Sequence, residues 1–277
     1  MSNQLDLTFD TPEPVDLYVE NRRGTVDVTA TDTTETTVRI TGERAEEFDV
    51  RDLGDRIAII APPRSSGLLG RDPHATIAVE VPVGSGLTAK VGSSDVVARG
   101  RFADSRVDSG SGDVTLDVVE GDAVVHSGSG DLVVEHIVGE AHLKSGSGDV
   151  VVRRAESSLV VATGSGDVRV ESARDDLAIK TGSGDALVRS LGGEAVFTTG
   201  SGDLVVTEVA SGRITAKTAS GDVRIGVVPG TPVWTDVRTA SGRLASTLPS
   251  TGEPAPDQPY LEVRATTASG DVTLHQS

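Results

Sequence analysis

The chain has 277 residues with a formal net charge of −17, 36% hydrophobic residues, only 3% aromatic residues and no cysteine. Phosphate backbones and anionic membranes attract clustered Lys and Arg, so this acidic balance argues against nucleic acid and anionic membrane surfaces as partners. No apolar run approaches the ~20 residues needed to span a bilayer, so we expect no membrane insertion. The lack of cysteine excludes a disulfide framework and a Cys-based metal site. The first ten residues have neither a basic n-region nor an apolar h-region, so we expect a cytoplasmic protein.

Residues 1–83 show strand patterns without a fixed period. Runs such as Val15, Leu17 and Val19 alternate apolar with other residues, as half-buried strands do. The connections over 31–37 and 64–73 are longer than tight hairpins. We predict an irregular N-terminal β-cap over 1–83, because the end of a stack of strands leaves backbone groups unpaired unless another segment covers them.

A fixed 18-residue period follows, carried by the motif Gly-Ser-Gly-Asp-apolar-x-apolar. Its aspartates are Asp95, Asp113, Asp131, Asp149, Asp167, Asp185 and Asp203. A period of this length indicates a solenoid, in which each repeat is one coil stacked on its neighbours. No proline lies between Pro82 and Pro229, and proline cannot donate a ladder hydrogen bond. The repeat block is therefore predicted over 84–228.

Each repeat carries two apolar pairs. One pair follows the aspartate, as in Val150 and Val152, and a second follows nine residues later, as in Leu159 and Val161. This alternation predicts two strands per coil that face each other across a thin core. A hexapeptide solenoid would need an inward apolar residue every six positions, and that third face is missing. Because parallel crossovers are nearly always right-handed, we predict an all-β, right-handed parallel β-solenoid with 18-residue coils and irregular β-caps at both ends.

The Gly-Ser-Gly-Asp turn has a purely structural interpretation. Glycine takes a positive φ at no steric cost, and Asp or Ser side chains bond nearby backbone amides. Stacked coils place equivalent residues ~4.8 Å apart, so we expect these serines and aspartates to form rows along the solenoid.

The spacing loosens after Asp203. Asp222 follows by 19 residues and Arg243 by a further 21, and residues 247–260 contain Pro, Gly and acidic residues, as loops do. Residues 261–275 return to the repeat pattern. We predict C-terminal coils and a cap over 229–277, with Trp234 packed at this end, and one continuous domain overall.

The repeats, the opening segment Thr8–Pro14 and the closing segment Ala268–Val272 resemble a bacterial family. It is the actinobacterial, cytosolic-type branch of the β-strand-repeat adhesin-type proteins, a domain of unknown function, and the resemblance covers essentially the whole chain. The resemblance implies a parallel β-solenoid and an adhesin-like role, and it offers no catalytic residues to carry over.

Acidic rows are the one feature of the repeats that suggests a ligand. Acidic residues recur every nine positions from Asp113 to Asp203, interrupted only at Ser158. Calcium β-rolls also have nine-residue repeats with oxygen-ligand edges, but their aspartate lies two residues before the buried apolar residue, whereas here it lies immediately before one. A solvated or turn-capping row is the simpler interpretation. The candidate calcium ligands are Asp113, Asp131, Asp149, Asp167, Asp185 and Asp203.

Three classes of function are open at this point. We expect a non-enzymatic structural or protein-interaction scaffold of adhesin-like type, without a cofactor, that binds a protein partner or self-associates through its flat faces. The alternative is a calcium-binding, β-roll-like adhesion module. A polysaccharide-active β-helix enzyme is the second alternative, although glycoside cleavage needs two carboxylates in distinct environments and every coil here carries the same aspartate. We therefore expect no enzymatic activity.

Overall fold

The computed structural model describes residues 3–63, 74–249 and 258–277. These residues form β-strands joined by turns, and the only helical element among them is a 3-10 turn at Ala45–Glu47. The predicted all-β class is therefore confirmed. The connection predicted over 64–73 and most of the loop predicted over 247–260 lie outside the described residues. The chain divides into two compact units, residues 1–139 and residues 140–277.

The first unit contains eleven strands among its described residues, and two of them, β2 and β7, are much longer than the rest. The strands are β1 (Gln4–Asp10), β2 (Asp16–Thr31), β3 (Glu35–Gly42), β4 (Asp49–Asp52), β5 (Arg56–Ile60), β6 (His74–Pro82), β7 (Gly86–Phe102), β8 (Ser105–Ser109), β9 (Val114–Val119), β10 (Ala123–Ser127) and β11 (Leu132–Ile137).

Parallel and antiparallel pairing meet in the N-terminal part of the first unit. β2 pairs in parallel with β7 from Asp16 opposite Gly86 to Thr29 opposite Arg99, so a strand that precedes the repeats already takes the parallel pairing of a coil. β1, β3 and β6 pair antiparallel, as do β4 and β5. β6 joins the two arrangements because it also pairs in parallel with β2.

Within the first unit, from β7 onward, strands pair in parallel with strands 18 residues later. Val96 lies opposite Val114 in one sheet, and Val114 lies opposite Leu132. On the other side of the coil, Ser105 lies opposite Ala123. In-register parallel pairing places equivalent residues of successive repeats on the same face, so the period of the sequence becomes the register of the sheet.

The second unit contains fourteen strands among its described residues, most of them five to seven residues long. They are β12 (Ala141–Ser145), β13 (Val150–Ala155), β14 (Leu159–Thr163), β15 (Val168–Ala173), β16 (Leu177–Thr181), β17 (Ala186–Leu191), β18 (Ala195–Thr199), β19 (Leu204–Val209), β20 (Gly212–Thr218), β21 (Val223–Val227), β22 (Val233–Thr239), β23 (Leu244–Ser246), β24 (Leu261–Thr267) and β25 (Val272–Gln276).

The last strands of the second unit do not stack in sequence order. β24 pairs in parallel with both β20 and β22, and β25 pairs with both β21 and β23. The layer formed by β22 and β23 is therefore outermost, although it comes earlier in the chain. Side-chain polarity explains this order. The inner layer turns Leu261, Val263 and Leu274 inward at 0–1% exposure, whereas Thr235 and Ser246 take the equivalent inward positions of the outer layer.

The core of the repeats is a narrow column of branched side chains. Both predicted inward pairs are buried, as Val150, Val152, Leu159 and Val161 show with an exposure of 0%. Val151, between the first two, faces outward and is half-buried. Burying one valine or leucine side chain contributes about 1.5–3 kcal/mol, and this contribution recurs in successive repeats.

The turn glycines correct one prediction. We expected them to need a positive φ, but the glycines with φ in the left-handed region lie outside the Gly-Ser-Gly-Asp turns. A Cβ atom on Gly166 would lie 2.0 Å from the carbonyl oxygen of Gly148, and one on Gly130 would lie 2.1 Å from that of Gly112. Glycine occupies these positions because the neighbouring turn passes too close for any side chain.

Candidate functional site

The candidate aspartates stand at the turns that precede strands, and their carboxylates bond backbone. In the first unit, Oδ1 of Asp95 accepts a hydrogen bond from the N–H of Asp113 at 3.1 Å, and Oδ1 of Asp113 accepts one from the N–H of Asp131 at 2.9 Å. Each carboxylate thus satisfies the backbone donor of the equivalent residue 18 positions later. We call this row the aspartate ladder.

The second unit contains an aspartate ladder of the same kind. Oδ1 of Asp149, Asp167 and Asp185 accepts a hydrogen bond from the N–H of the next aspartate in the row, at 2.8 Å in each case. The carbonyl oxygen of Asp167 in turn accepts from the N–H of Val150 at 2.9 Å. Side chain and backbone of one residue therefore link three successive turns.

At its C-terminal end the ladder follows spatial order rather than chain order. Oδ1 of Asp203 accepts from the N–H of Asp222 at 2.8 Å, and Oδ1 of Asp222 accepts from Asp271 at 2.9 Å. Oδ1 of Asp271 then accepts from the N–H of Arg243 at 2.8 Å. Arg243 occupies the aspartate position of the outermost layer. Its backbone N–H donates the last hydrogen bond of the ladder, and its side chain has no carboxylate to accept another.

In each unit, hydrogen bonds of the same kind precede the other set of parallel strands. Oδ1 of Asp104 accepts from the N–H of Asp122 at 2.9 Å, and Oδ1 of Asp176 accepts from the N–H of Glu194 at 3.2 Å. In both rows, therefore, carboxylates accept backbone hydrogen bonds from the repeat that follows.

The six candidate calcium ligands lie in rows and do not converge. Calcium takes six to eight oxygen ligands around one point. Within residues 3–63, 74–249 and 258–277 no group of three or more His, Cys, Asp or Glu side chains is arranged to hold a metal ion. One oxygen of each of Asp113, Asp149, Asp167, Asp185 and Asp203 already accepts a ladder bond. Calcium binding stays a prediction.

A shallow groove of about 440 Å³ runs beside the ladder in the second unit. Ladder carboxylates form its rim, and the half-buried side chains of Val151, Leu187 and Val205 line it. At one end, the guanidinium of Arg224 bonds Asp203 at 3.3 Å and Asp222 at 2.7 Å. The groove repeats one chemical unit along its length, which suits surface contact better than a reaction at a single point.

Sequence reasoning missed a cluster of one aromatic residue and three charged ones on the C-terminal strands. Glu262 is 7% exposed and bonds Arg213 at 2.7 Å and Arg264 at 2.5 Å. The hydrogen bond from Arg213, and then that from Arg264, holds the pKa of Glu262 below its usual range. The guanidinium of Arg264 also lies 5.7 Å from the ring centre of Trp234, which is 50% exposed on the outer face. The pairing of β22 with β24 creates this cluster, and the order of the chain conceals it.

The one strongly shifted tyrosine does not offer acid–base chemistry. Burial, followed by the hydrogen bond to Glu20, raises the pKa of Tyr18 to about 12. The ammonium group of Lys90 lies 5.6 Å from its ring centre. Tyr18 therefore remains protonated near neutral pH and serves as a packing surface for Lys90.

Comparisons with known proteins give one match over most of the chain. A family model described as Toastrack DUF4097 matches residues 15–191 and again residues 175–275. No curated protein matches the chain. No helix among the described residues is both long enough and apolar enough to cross a membrane.

The similar solved structures are distant. A protein described as a candidate lipid-binding protein from Parabacteroides distasonis ATCC 8503 has 13% identity and a TM-score of 0.46, over 98% of this chain and 96% of that one. A candidate adhesin from Bacteroides fragilis NCTC 9343 has 13% identity and a TM-score of 0.44, over the same shares of the two chains. Structures this distant do not indicate what the chain binds.

Proposed function

The chain belongs to the Toastrack DUF4097 family, and from that premise we propose that it is a non-enzymatic structural or protein-interaction scaffold of adhesin-like type. The family match confirms the resemblance to a β-repeat family of unknown function. The proposal concerns what the repeated unit is for, namely holding a long stack of coils together while the outward residues vary.

The aspartate ladder is the observation that supports this proposal. In an active site one or two carboxylates differ from their neighbours in environment. Here Asp149, Asp167 and Asp185 make the same bond at the same 2.8 Å distance. Their common role is to satisfy the next turn, which is a structural task. The outward positions between the inward pairs, such as Val151, Arg169 and Leu187, differ from coil to coil, as a surface that contacts partners can.

The proposal includes the finer architecture expected from the sequence. We propose right-handed coils of 18 residues with two main strands each over 84–228, and caps over 1–83 and 229–277. The 18-residue register of the parallel pairs supports the coil length, as in Val150 opposite Val168. We also propose a cytoplasmic location, for which the cysteine-free composition suits a reducing compartment.

Thermal unfolding with and without calcium tests the scaffold against the calcium-binding module. The backbone N–H groups already stabilise the ladder carboxylates, so we expect millimolar calcium to change Tm no more than sodium at equal ionic strength. A cation that bound only the folded chain would raise Tm beyond that control by ligand linkage. A calcium-specific rise in Tm that disappears in the double variant Asp149→Asn with Asp167→Asn would replace the scaffold with the calcium module.

Single Asp→Asn variants along the ladder test the scaffold against an enzyme. We expect no glycosidase or lyase turnover in the unaltered chain, measured as reducing ends or unsaturated products released from polysaccharide. We also expect Asp167→Asn and Asp185→Asn to change Tm by similar small amounts. A turnover that one of these variants abolishes would make the chain an enzyme.

A further inference from the structure

The outermost layer of the second unit has a strand with one free edge among the described residues. β22 (Val233–Thr239) pairs with β24 alone, and β23 (Leu244–Ser246) pairs with β25 alone, within residues 140–249 and 258–277. An unpaired edge of seven residues presents backbone donors and acceptors to any strand that can align with it.

Within residues 140–249 and 258–277, the inward face of this layer is open. In the layer beneath, Leu261, Val263 and Val272 have 0% exposure, whereas Leu244 in the outermost layer is 51% exposed. A cavity of about 310 Å³ opens there, lined among others by Val233 and Leu244. Stacked repeats need a terminal unit that covers the last apolar layer, and this layer still carries Val233 and Leu244 at inward positions beside Thr235 and Ser246.

The charge of the chain makes this end the place where two copies can meet. Residues 1–210 contain 19 Lys or Arg against 36 Asp or Glu and so carry the whole net charge of −17, whereas residues 211–277 contain six of each. Two strongly acidic surfaces repel each other. The neutral C-terminal region brings two copies together without that repulsion.

The outward face of β22 is complementary to itself. Trp234, Asp236 and Arg238 share this face, and the side chains of Asp236 and Arg238 are 38% and 76% exposed. In an antiparallel pair, residues directly opposite each other lie on the same face. If two copies of β22 align about a two-fold axis at Val237, each Asp236 lies opposite Arg238 of the other copy. The same register places Val237 against Val237 on the inward side, over the open core.

We propose that the chain forms a two-fold symmetric dimer through antiparallel pairing of β22 with β22 of a second copy. The pairing closes the free edge and covers the last apolar layer, and symmetry makes both halves of the contact identical. This proposal rests on the proposed scaffold function, because it names a second copy of the chain as the partner that the scaffold binds. Its failure would leave the ladder tests of that function unaffected.

Charge variants test the register. The full chain in sedimentation equilibrium should show twice the chain mass of 28.5 kDa. Arg238→Asp places two aspartates opposite each other at both symmetric positions, so we expect the dimer to weaken about tenfold or more. Asp236→Arg should weaken it similarly, because two arginines then face each other.

Mixing the two variants gives the decisive measurement. A heterodimer of the Arg238→Asp chain with the Asp236→Arg chain pairs an aspartate with an arginine at both positions, so we expect the mixture to recover dimer that neither variant forms alone. This recovery separates the interface from any loss of folding. Lys180→Asp makes the same charge change on an exposed residue of β16 and should leave the dimer intact.

Three outcomes would overturn the proposal: a monomer at all concentrations, a dimer that Arg238→Asp does not weaken, or variants that fail to recover on mixing. A series of larger polymers would overturn the two-fold register as well. Trp234 is the only tryptophan in the chain. Because Trp234 is itself a residue of the paired strand β22, its emission should shift to the blue as concentration rises, and a constant emission would also contradict the proposal.

Discussion

The close approach of neighbouring turns predicts a large effect from the smallest substitution in the repeat, Gly166→Ala. The added Cβ atom would lie 2.0 Å from the oxygen and 2.5 Å from the carbon of the Gly148 carbonyl, whereas Cβ atoms essentially never approach other atoms within 3.0 Å. The turn must therefore move by about 1 Å away from its neighbour. The backbone of a stacked turn cannot rotate away as a flexible side chain does.

The cost of that movement follows from the bonds it breaks. The N–H of Asp167 donates to Oδ1 of Asp149 at 2.8 Å, and the N–H of Gly166 donates to Oγ1 of Thr163 at 3.1 Å. Lengthening both by about 1 Å takes them beyond hydrogen-bond distance. Each contributes about 1 kcal/mol, and overpacking of a tight contact adds about 1–3 kcal/mol. We expect Gly166→Ala to lower the free energy of unfolding by about 3–5 kcal/mol, a large part of the ~5–15 kcal/mol typical of a domain.

Urea unfolding followed by circular dichroism measures this loss, and two variants make the test specific. Ser165→Ala alters the adjacent exposed residue of the same turn and should leave the midpoint almost unchanged. Gly166→Asn should be as harmful as Gly166→Ala. If the glycine served a left-handed φ instead, alanine would cost only about 1–2 kcal/mol and asparagine would be tolerated better. A mild Gly166→Asn variant would thus refute the close-approach explanation.

Three further predictions concern the ladder, the core and the buried carboxylate. Asp167→Ala leaves the N–H of Asp185 without its acceptor and should lower the free energy of unfolding in urea by about 1–2 kcal/mol. Asp167→Asn keeps an acceptor and should lower it less. Equal losses of stability in the two variants would show that the ladder bond is unimportant. Val152→Asp places an unpaired charge at a position with 0% exposure and should prevent folding as seen by circular dichroism. Val151→Asp, on the outer face, should fold. Equal loss of stability in both variants would contradict the assignment of Val152 to the inward face. Because the pKa of Glu262 is lower in the folded chain, its ion pairs stabilise the fold above pH 4.5, the ordinary pKa, and this contribution is lost as pH falls through the lowered value. The free energies of unfolding of the unaltered chain and of Glu262→Gln should therefore converge in acid. A constant difference across pH would contradict the assignment.

The sequence by itself determined the all-β class and the inward phase of the repeats. Alternation around Val150 and Val152 needs no tertiary information, since one residue of shift would turn every apolar side chain outward. It also placed the acidic rows, because a residue at a fixed position in a fixed period must recur at a fixed position in the stack. The sequence did not show why position 166, next to Asp167, must be glycine. The reason is the short distance between the turns of two neighbouring repeats, which the pattern of one repeat does not reveal.

Only the tertiary structure decided the use of the acidic residues and the order of the last layers. A carboxylate in a row can bind a cation, face water or accept from a backbone donor, and only the position of the neighbouring N–H shows that Oδ1 of Asp167 accepts from a backbone donor. Likewise, β24 lies between β20 and β22 because its inward side chains are the more apolar set, and burial favours them over the layer that comes first in the chain. The cluster of Glu262 and Trp234 and the open layer around Leu244 both arise from that exchange, so neither could be found by reading the repeats in order.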